Sequence, residues 1–143
     1  MLEIKIKYHD KDMGKIEKVP VGDWIDLRCA EDVDLKPFEF RTLSLGISMK
    51  LPEGYEAQIL PRSSTFRRWG ILMVNGMGII DKSYSGENDI WGFPALAIRP
   101  VSICKGERIC QFRIMPKMPD VKFVEVDHMD DPDRGGFGST GRK

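Results

Sequence analysis

Apolar and polar residues alternate at the start of the chain, with Leu2, Ile4, Ile6 and Tyr8 on one side of a period-two pattern. Such alternation is typical of a half-buried β-strand. Similar β-prone runs recur along the chain and are separated by turns that contain Gly or Pro. They predict strands over 24–30, 38–51, 71–74, 79–80, 90–98, 108–115 and 121–126. The strand over 38–51 is expected to have a kink near Gly46, and a further strand is expected to end at Leu60.

One short helix interrupts this pattern. Ser63 and Ser64 are typical helix N-cap residues, and Gly70 is a typical residue at which a helix ends, so we expect one or two helical turns between them. Many short strands with at most one short helix indicate an all-β sandwich or barrel. From residue 127 onward the chain becomes rich in Gly, Asp and Ser, which predicts a β-domain over 1–126 and a flexible arm over 127–143.

Composition excludes several classes of protein. A chain of 143 residues suits a single domain, and its 22 basic and 22 acidic residues give a net charge of zero. Nothing in this balance indicates binding to duplex DNA or to an anionic membrane, and no run approaches the ~20 apolar residues of a membrane span. Three cysteines without metal-ligand spacing indicate buried thiols in a reducing cytoplasm, and two histidines near the chain ends give little support to a His-based site.

The most informative stretch is NGMGIIDKSYSGE, which covers residues 75–87. Its glycines allow close approach of a ligand to the backbone, Asp81 follows a short apolar strand, and Tyr84 offers a ring for stacking. This arrangement suits a base held at a strand end. On this stretch alone, an ordinary hairpin turn with Asp and Gly in turn positions explains the pattern better.

Three other segments carry groups that suit phosphate oxygens. Arg62 with Ser63 and Ser64 combines a charged fork with hydroxyls near a helix start, although a capped surface turn has the same composition. The alternating strand with Arg108 and Gln111, taken alone, is better explained as an ordinary solvated strand face. The terminal RGGFGSTGRK has hydroxyls, backbone N–H groups and one aromatic ring on a glycine-rich arm, which can fold over a polyphosphate or be a disordered tail.

Together these segments closely resemble the trimeric deoxyuridine triphosphate nucleotidohydrolases (dUTPases), in particular the short forms of Gram-positive bacteria and their phages. The resemblance rests on five ordered blocks that extend over nearly the whole chain, namely 25–30, 61–64, 75–87, 106–111 and 134–141. It implies a jelly-roll-like β-barrel, a homotrimer with three active sites at subunit interfaces, and hydrolysis of dUTP to dUMP and pyrophosphate with Mg²⁺. That reaction keeps uracil out of DNA and supplies dUMP for dTMP synthesis.

The resemblance also implies a role for individual residues. Asp81 corresponds to the general base that activates the water attacking the α-phosphorus, and Tyr84 to the ring packed on the deoxyribose. Asp26 corresponds to the carboxylate that orients metal-bound water. The remaining positions correspond to uracil recognition (Asn75, Gly78, Ile80), phosphate contacts (Arg62, Ser63, Ser64, Gln111) and an arm that closes over the nucleotide from another subunit (Arg134, Phe137, Ser139, Thr140).

The chain departs from the family pattern in two places. Its last block lacks two residues that usually stand between the Arg and the Gly-Phe pair, and the segment after the central block contains the additional aromatic residues Trp91 and Phe93. A shorter arm reduces the reach of Phe137. We therefore predict that Phe93 or Trp91 contributes to the ring that caps uracil, with burial in the core as the alternative.

Two other functions fit the same sequence features. A dCTP deaminase shares the fold and an Arg-Ser-Ser block, but deaminases tend to be longer and to lack the terminal arm. A dUTPase-like regulatory protein that binds a protein partner and uses nucleotide as a switch is compatible with catalysis. The presence of Asp81 and Tyr84 favours a hydrolase.

Overall fold

The chain folds into eleven strands and one short helix, as seen in a computed structural model that describes all of residues 1–143. The elements are β1 (Lys5–Tyr8), β2 (Ile25–Arg28), β3 (Val33–Leu35), β4 (Phe40–Ser44), β5 (Ile47–Lys50), β6 (Tyr55–Pro61), α1 (Thr65–Trp69), β7 (Ile71–Met73), β8 (Gly78–Ile80), β9 (Gly92–Ala97), β10 (Val101–Ile103) and β11 (Arg108–Pro116). The helix has five residues and is too short to cross a bilayer.

All strand pairs are antiparallel, and they form four separate sheets. The largest has the order β2-β11-β6-β8, the next has the order β4-β9-β7, and the other two are the pairs β1-β5 and β3-β10. The all-β class and the jelly-roll-like arrangement are confirmed. The sheets do not close into a continuous barrel, because hydrogen bonding is interrupted between them.

A single apolar core lies between the sheets. It contains 24 buried residues drawn from nearly every strand. On β9 every second side chain is buried, as expected for a strand with one face on the core. The Trp91 and Phe112 rings meet edge to face with centroids 5.4 Å apart, a favourable aromatic geometry.

The kink predicted near Gly46 is confirmed as the break between β4 and β5. Gly46 has a φ of 66°, and a Cβ there would lie 2.5 Å from the sulfur of Met13. Both the backbone angle and the lack of space require glycine at this position. The predicted helix is confirmed as well and ends at Gly70, which has left-handed backbone angles.

One prediction about the end of the chain differs from the structure. Residues 121–126 form no strand, because none of their backbone groups pairs with a strand of the same chain, and they are exposed. The last strand ends at Pro116, and all residues beyond it are exposed. Where the folded domain gives way to the arm stays a prediction.

The prediction that Phe93 or Trp91 caps uracil is wrong for this fold. Both side chains are 0% exposed, because the alternation along β9 directs them into the core. A ring without exposed surface cannot stack on a nucleobase unless the core opens. Phe137 on the arm is fully exposed and is the aromatic ring that stays available for that role.

The core position of Phe93 leads to a stability prediction. Phe93→Ala should lower the free energy of unfolding by about 3–5 kcal/mol, since it leaves a cavity in a packed core. Chemical denaturation followed by circular dichroism measures this change. Phe137→Ala is the matched control and should leave the unfolding midpoint unchanged. A Phe93→Ala protein that is as stable as the original chain would contradict the core assignment.

Candidate active site

The first half of the site lies where β2, β11 and β6 run side by side. Gln111 on β11 is in register with Asp26 on β2 and with Leu60 on β6. The Gln111 side-chain amide donates to the Pro61 carbonyl over 3.1 Å, and the next residue is Arg62. The structure thus brings together Asp26, Arg62 and Gln111, which the sequence predicted as a phosphate and metal-water site.

Arg62 is held by its neighbours in the chain. Its backbone N–H donates to the Thr65 hydroxyl over 2.8 Å, and that hydroxyl donates to the Ile109 carbonyl over 2.7 Å. Thr65 is fully buried, so this link anchors the start of α1 to β11. Ser64 occupies the N-cap position without a side-chain capping bond, and Ser63 is exposed. Both serine hydroxyls are therefore available to a ligand.

Additional arginines surround this half of the site. Asp26 pairs with two guanidiniums, through Oδ1 to Arg62 Nε at 3.0 Å and through Oδ2 to Arg108 Nη1 at 3.5 Å. Glu107 pairs with a further arginine, Arg68, at 3.3 Å. Four arginines line one open pocket, a concentration of positive charge that suits a polyphosphate. They are Arg28, Arg62, Arg68 and Arg108.

Of these arginines, the sequence indicates Arg62 as a phosphate contact and Arg108 only as a neighbour of Gln111 on an alternating strand. Arg28 could have been found, because it stands two positions after Asp26 on β2 and alternation places both on one face. Arg68 falls within the short helix and has no distinguishing pattern. The contact of Arg108 with Asp26 depends on a local irregularity of β11.

The second half of the site is β8 and the connection that leads to it from β7, a strand of a different sheet. Asn75 and Gly76 form the turn of this connection, and Gly76 has a φ of 70°. Gly78 packs closely on β6, since a Cβ there would lie 3.1 Å from the Ile59 side chain. β8 pairs only with β6, so its outer edge offers free backbone N–H and C=O groups next to Gly78 and Ile80.

Asp81 follows β8 directly and is exposed. Its Oδ1 accepts hydrogen bonds from the hydroxyl and the backbone N–H of Ser83, the latter over 2.8 Å, and Oδ2 is free. These bonds, the hydroxyl first, lower the pKa of Asp81 below its ordinary value because they stabilise the ionised carboxylate. Tyr84 donates its hydroxyl to the Ile90 carbonyl over 3.1 Å, which leaves its ring partly exposed beside Asp81.

Within one chain the two halves are far apart. Asp81 extends β8 past Ile80, whose partner on β6 is Ala57, whereas Asp26 is level with Leu60 of β6. The separation is about 13 Å along the strands and about 14 Å across them, from ~3.3 Å per residue and ~4.8 Å per strand. The free edge of β8 also points away from β2. One chain therefore does not present both halves to one nucleotide.

The arm contacts neither half within its own chain. Its hydrogen bonds are internal turns, from the Ser139 N–H to the Gly136 carbonyl and from the Gly141 N–H to the Gly138 carbonyl. Phe137 has a φ of 52°, a left-handed angle that is uncommon for an aromatic residue. The predicted arm residues are exposed throughout, namely Arg134, Phe137, Ser139 and Thr140.

The residues present fit a magnesium ion that arrives with a ligand. No three His, Cys, Asp or Glu side chains are grouped in a way that could hold a metal ion. Asp26 is the carboxylate that lies between Arg62 and Arg108, whereas Glu107 is paired with Arg68. Mg²⁺ that is held mainly by phosphates and water needs few protein ligands, so a single carboxylate suffices.

Comparison with known proteins identifies the family. Residues 24–141 match the family model of dUTPase. The chain is 57% identical over 142 residues to the SPbeta prophage-derived deoxyuridine 5'-triphosphate nucleotidohydrolase YosS of Bacillus subtilis, with 99% of this chain and 100% of that protein covered. The chain belongs to the dUTPase family.

Further relatives agree with this assignment. The deoxyuridine 5'-triphosphate nucleotidohydrolase of Finegoldia magna is 38% identical over 144 residues, covering 96% of this chain and 99% of that one. The dUTPase of Staphylococcus bacteriophage 80alpha, solved with dUPNHPP, has the same fold with a TM-score of 0.82 at 23% identity, covering 99% and 100% of the two chains. The fold is that of the dUTPases of phages and Gram-positive bacteria.

The Asp81 turn leads to a prediction about its pKa. Ser83→Ala removes the hydroxyl that stabilises the ionised carboxylate, so the pKa of Asp81 should rise toward that of an ordinary aspartate. A titration of the Asp81 carboxyl carbon by NMR measures the change. Ser85→Ala is the control, because the Ser85 hydroxyl accepts from the Leu51 N–H and does not touch Asp81. Equal pKa values of Asp81 in the two variants would contradict the assigned bonding.

Proposed function

We propose that the chain hydrolyses dUTP to dUMP and pyrophosphate, with Mg²⁺, at sites shared between the subunits of a homotrimer. The observation that carries this proposal is the Asp81–Tyr84 turn at the free edge of β8. In a chain of the dUTPase family, this turn combines an ionised base with a backbone edge that can read a nucleobase. Membership of the family and the arginine-rich pocket support the triphosphate as the second part of the substrate.

Asp81 is suited to act as the general base. Its lowered pKa keeps it ionised at neutral pH, and its free Oδ2 can orient a water and accept its proton. The water oxygen forms a bond to the α-phosphorus while the bond from that phosphorus to the bridging oxygen breaks, and pyrophosphate leaves. Because a lowered pKa makes a carboxylate a weaker base, positioning of the water contributes more than proton affinity.

The triphosphate would lie against the first half of the site. Arg62 supplies a charged fork, Ser63 and Ser64 supply hydroxyls at the start of α1, and Gln111 supplies an amide. Asp26 would contact a water bound to Mg²⁺. The metal ion, when bound, neutralises phosphate charge and orients the phosphate chain.

Recognition of uracil is assigned to the β7–β8 connection and the free edge of β8. Asn75 at the turn of the connection and the backbone next to Gly78 and Ile80 can pair with the polar edge of the base. A site built for the hydrogen bonds of uracil leaves unpaired groups when cytosine binds, and this discriminates strongly between the two. The Tyr84 ring would pack on deoxyribose and leave no space for a 2′-hydroxyl.

The trimer is proposed because one chain does not assemble the site. The outer face of the β4-β9-β7 sheet has an apolar row in which Phe40, Leu96 and Leu72 are in register, and the outer two are exposed. An exposed apolar face of this kind marks an interaction surface. Residues 121–126 are also exposed and β-prone, and a strand edge of a second copy would satisfy them.

The arm would complete the site from another subunit. Arg134, Ser139 and Thr140 would bind phosphate oxygens, and the Phe137 ring would cap uracil, in place of Phe93. Closure of the arm would exclude water other than the nucleophile.

The proposed reaction would keep uracil out of DNA and supply dUMP for dTMP synthesis. Three free cysteines, two of them buried, support a cytoplasmic location. A regulatory role beside hydrolysis is a second candidate, since the chain is similar to a prophage-derived protein and has the fold of phage dUTPases that are described as controlling transfer of virulence genes. The relatives and the solved structure named above are dUTPases, which favours a dUTPase over a dCTP deaminase.

The function is tested by replacing the proposed base. Asp81→Asn should bind dUTP with nearly unchanged affinity and release pyrophosphate at least ~10²-fold more slowly, because it removes a group used in the transition state. Pyrophosphate release from dUTP, dCTP and dTTP measures rate and specificity. Asp34→Asn on β3, which is exposed and outside both halves, should leave the rate unchanged. Residual turnover of Asp81→Asn close to the original rate would remove Asp81 from this role.

A further inference from the structure

The ladder between β2 and β11 contains a β-bulge beside the first half of the site. Gln111 lies opposite Asp26, but the residue opposite Arg28 is Arg108, and Ile109 is the extra residue. In a regular strand Ile109 would share the face of Gln111. The bulge instead turns Ile109 into the core, where it is fully buried, and brings Arg108 to the face that carries Asp26.

The bulge is held in place by the segment that carries Arg62. Arg62 Nη1 donates to the Arg108 carbonyl over 3.1 Å, and the Thr65 hydroxyl donates to the Ile109 carbonyl over 2.7 Å. Both carbonyls at the irregularity are therefore hydrogen-bonded. β-Bulges are over-represented beside functional sites, where they change the direction of a side chain. Here the side chain whose direction changes is that of Arg108.

Asp26 lies between two guanidiniums, those of Arg62 and Arg108, which differ in the other groups that they bind. Arg62 binds Asp26 Oδ1 through Nε at 3.0 Å, and in the proposed function Arg62 also binds phosphate oxygens. Arg108 binds Asp26 Oδ2 through Nη1 at 3.5 Å. Triphosphate oxygens compete with Asp26 for Arg62, so Arg108 is the partner that keeps Asp26 in place when the nucleotide binds.

We propose that Arg108 is a positioning residue, which holds the Asp26 carboxylate toward the metal-bound water while Arg62 engages the triphosphate. This inference rests on the proposed function and adds to it a residue that acts through Asp26. It distinguishes Arg108 from the phosphate-binding arginines. A phosphate ligand would contribute to nucleotide affinity with or without Mg²⁺, whereas a residue that positions Asp26 contributes only when the metal is present.

A double-mutant cycle between the two residues tests the proposal. Asp26→Asn, Arg108→Gln and the double variant are titrated with dUpNHpp, the non-hydrolysable imido analogue of dUTP, by calorimetry in Mg²⁺ and in EDTA. Arg113→Gln is the charge-matched control, because Arg113 is on the same strand but contacts Gln58 and the Trp24 ring. Thermal unfolding confirms that each variant is folded, and Arg108→Lys tests whether charge without the planar fork suffices.

In Mg²⁺, each single variant should weaken binding of the analogue about tenfold, and the double variant should be no weaker than Asp26→Asn, because both act through one carboxylate. In EDTA, Arg108→Gln should bind like Arg113→Gln. Arg108→Lys should recover part of the affinity in Mg²⁺. Arg108→Gln should also raise the Mg²⁺ concentration needed for half-maximal binding, as Asp26→Asn does.

Additive effects of the two substitutions, or an equal loss with Mg²⁺ and in EDTA, would overturn the proposal and make Arg108 a direct phosphate ligand. An Arg108→Gln protein that fails to fold is replaced by Arg108→Lys in the same cycle, with the same criteria. The double-mutant cycle tests the role of Arg108 separately from the proposed function. If the original chain releases pyrophosphate from dUTP while the two substitutions are additive, the role of Arg108 is disproved and the proposed function is retained.

Discussion

The four-stranded sheet β2-β11-β6-β8 holds the first half and the second half of the candidate site at its opposite edges. Register along β6 keeps Asp26 and Asp81 apart, and the free edge of β8 faces away from Arg62. No side-chain rotation closes a gap of this size. In the proposed function, one nucleotide would therefore meet both halves only between copies of the chain. Such an assembly would use the exposed apolar face and the arm, which makes no hydrogen bond to the rest of its own chain.

Within the first half, a few hydrogen bonds replace regular ladder bonds. The buried Thr65 hydroxyl joins the start of α1 to β11, and Arg62 supports the carbonyl of Arg108. The same contacts stabilise the β-bulge and orient the arginines, so the local folding of this segment and the charge arrangement of the site depend on each other. A bound triphosphate would meet guanidiniums that are already ordered, which lowers the entropy cost of binding.

Much of this fold could be predicted from local patterns, and the exceptions have physical reasons. Alternation located most of the long strands, and Gly46 marked a break because only glycine fits there. The three-residue strands β3 and β10 were missed, since so short a run has no distinct period. Residues 121–126 have strand composition, but a strand also needs a neighbouring edge, and composition does not report whether one is available.

Part of the geometry of the candidate site could also be predicted from the sequence. Asp26, Arg62 and Gln111 come together as the ordered blocks indicate, because they lie on neighbouring strands. The short arm and the additional aromatic residues suggested Phe93 as a cap for uracil, but the phase of alternation on β9 buries its ring. The sequence marks Arg108 beside Gln111 but does not predict its contact with Asp26, because a bulge changes the phase by one residue and depends on hydrogen bonds from residues distant in sequence.

Subunit complementation tests the central claim, that one site is shared between copies of the chain, most directly. An Asp81→Asn chain and a chain truncated after Val126 are each expected to be nearly inactive, the first without a base and the second without an arm. Co-expressed in equal amounts, they should recover about a quarter of the original rate of pyrophosphate release. With random mixing, about a quarter of the sites combine an intact base from one chain with an intact arm from another. No recovery in verified mixed trimers, or full activity of the original chain as a monomer, would contradict the shared site.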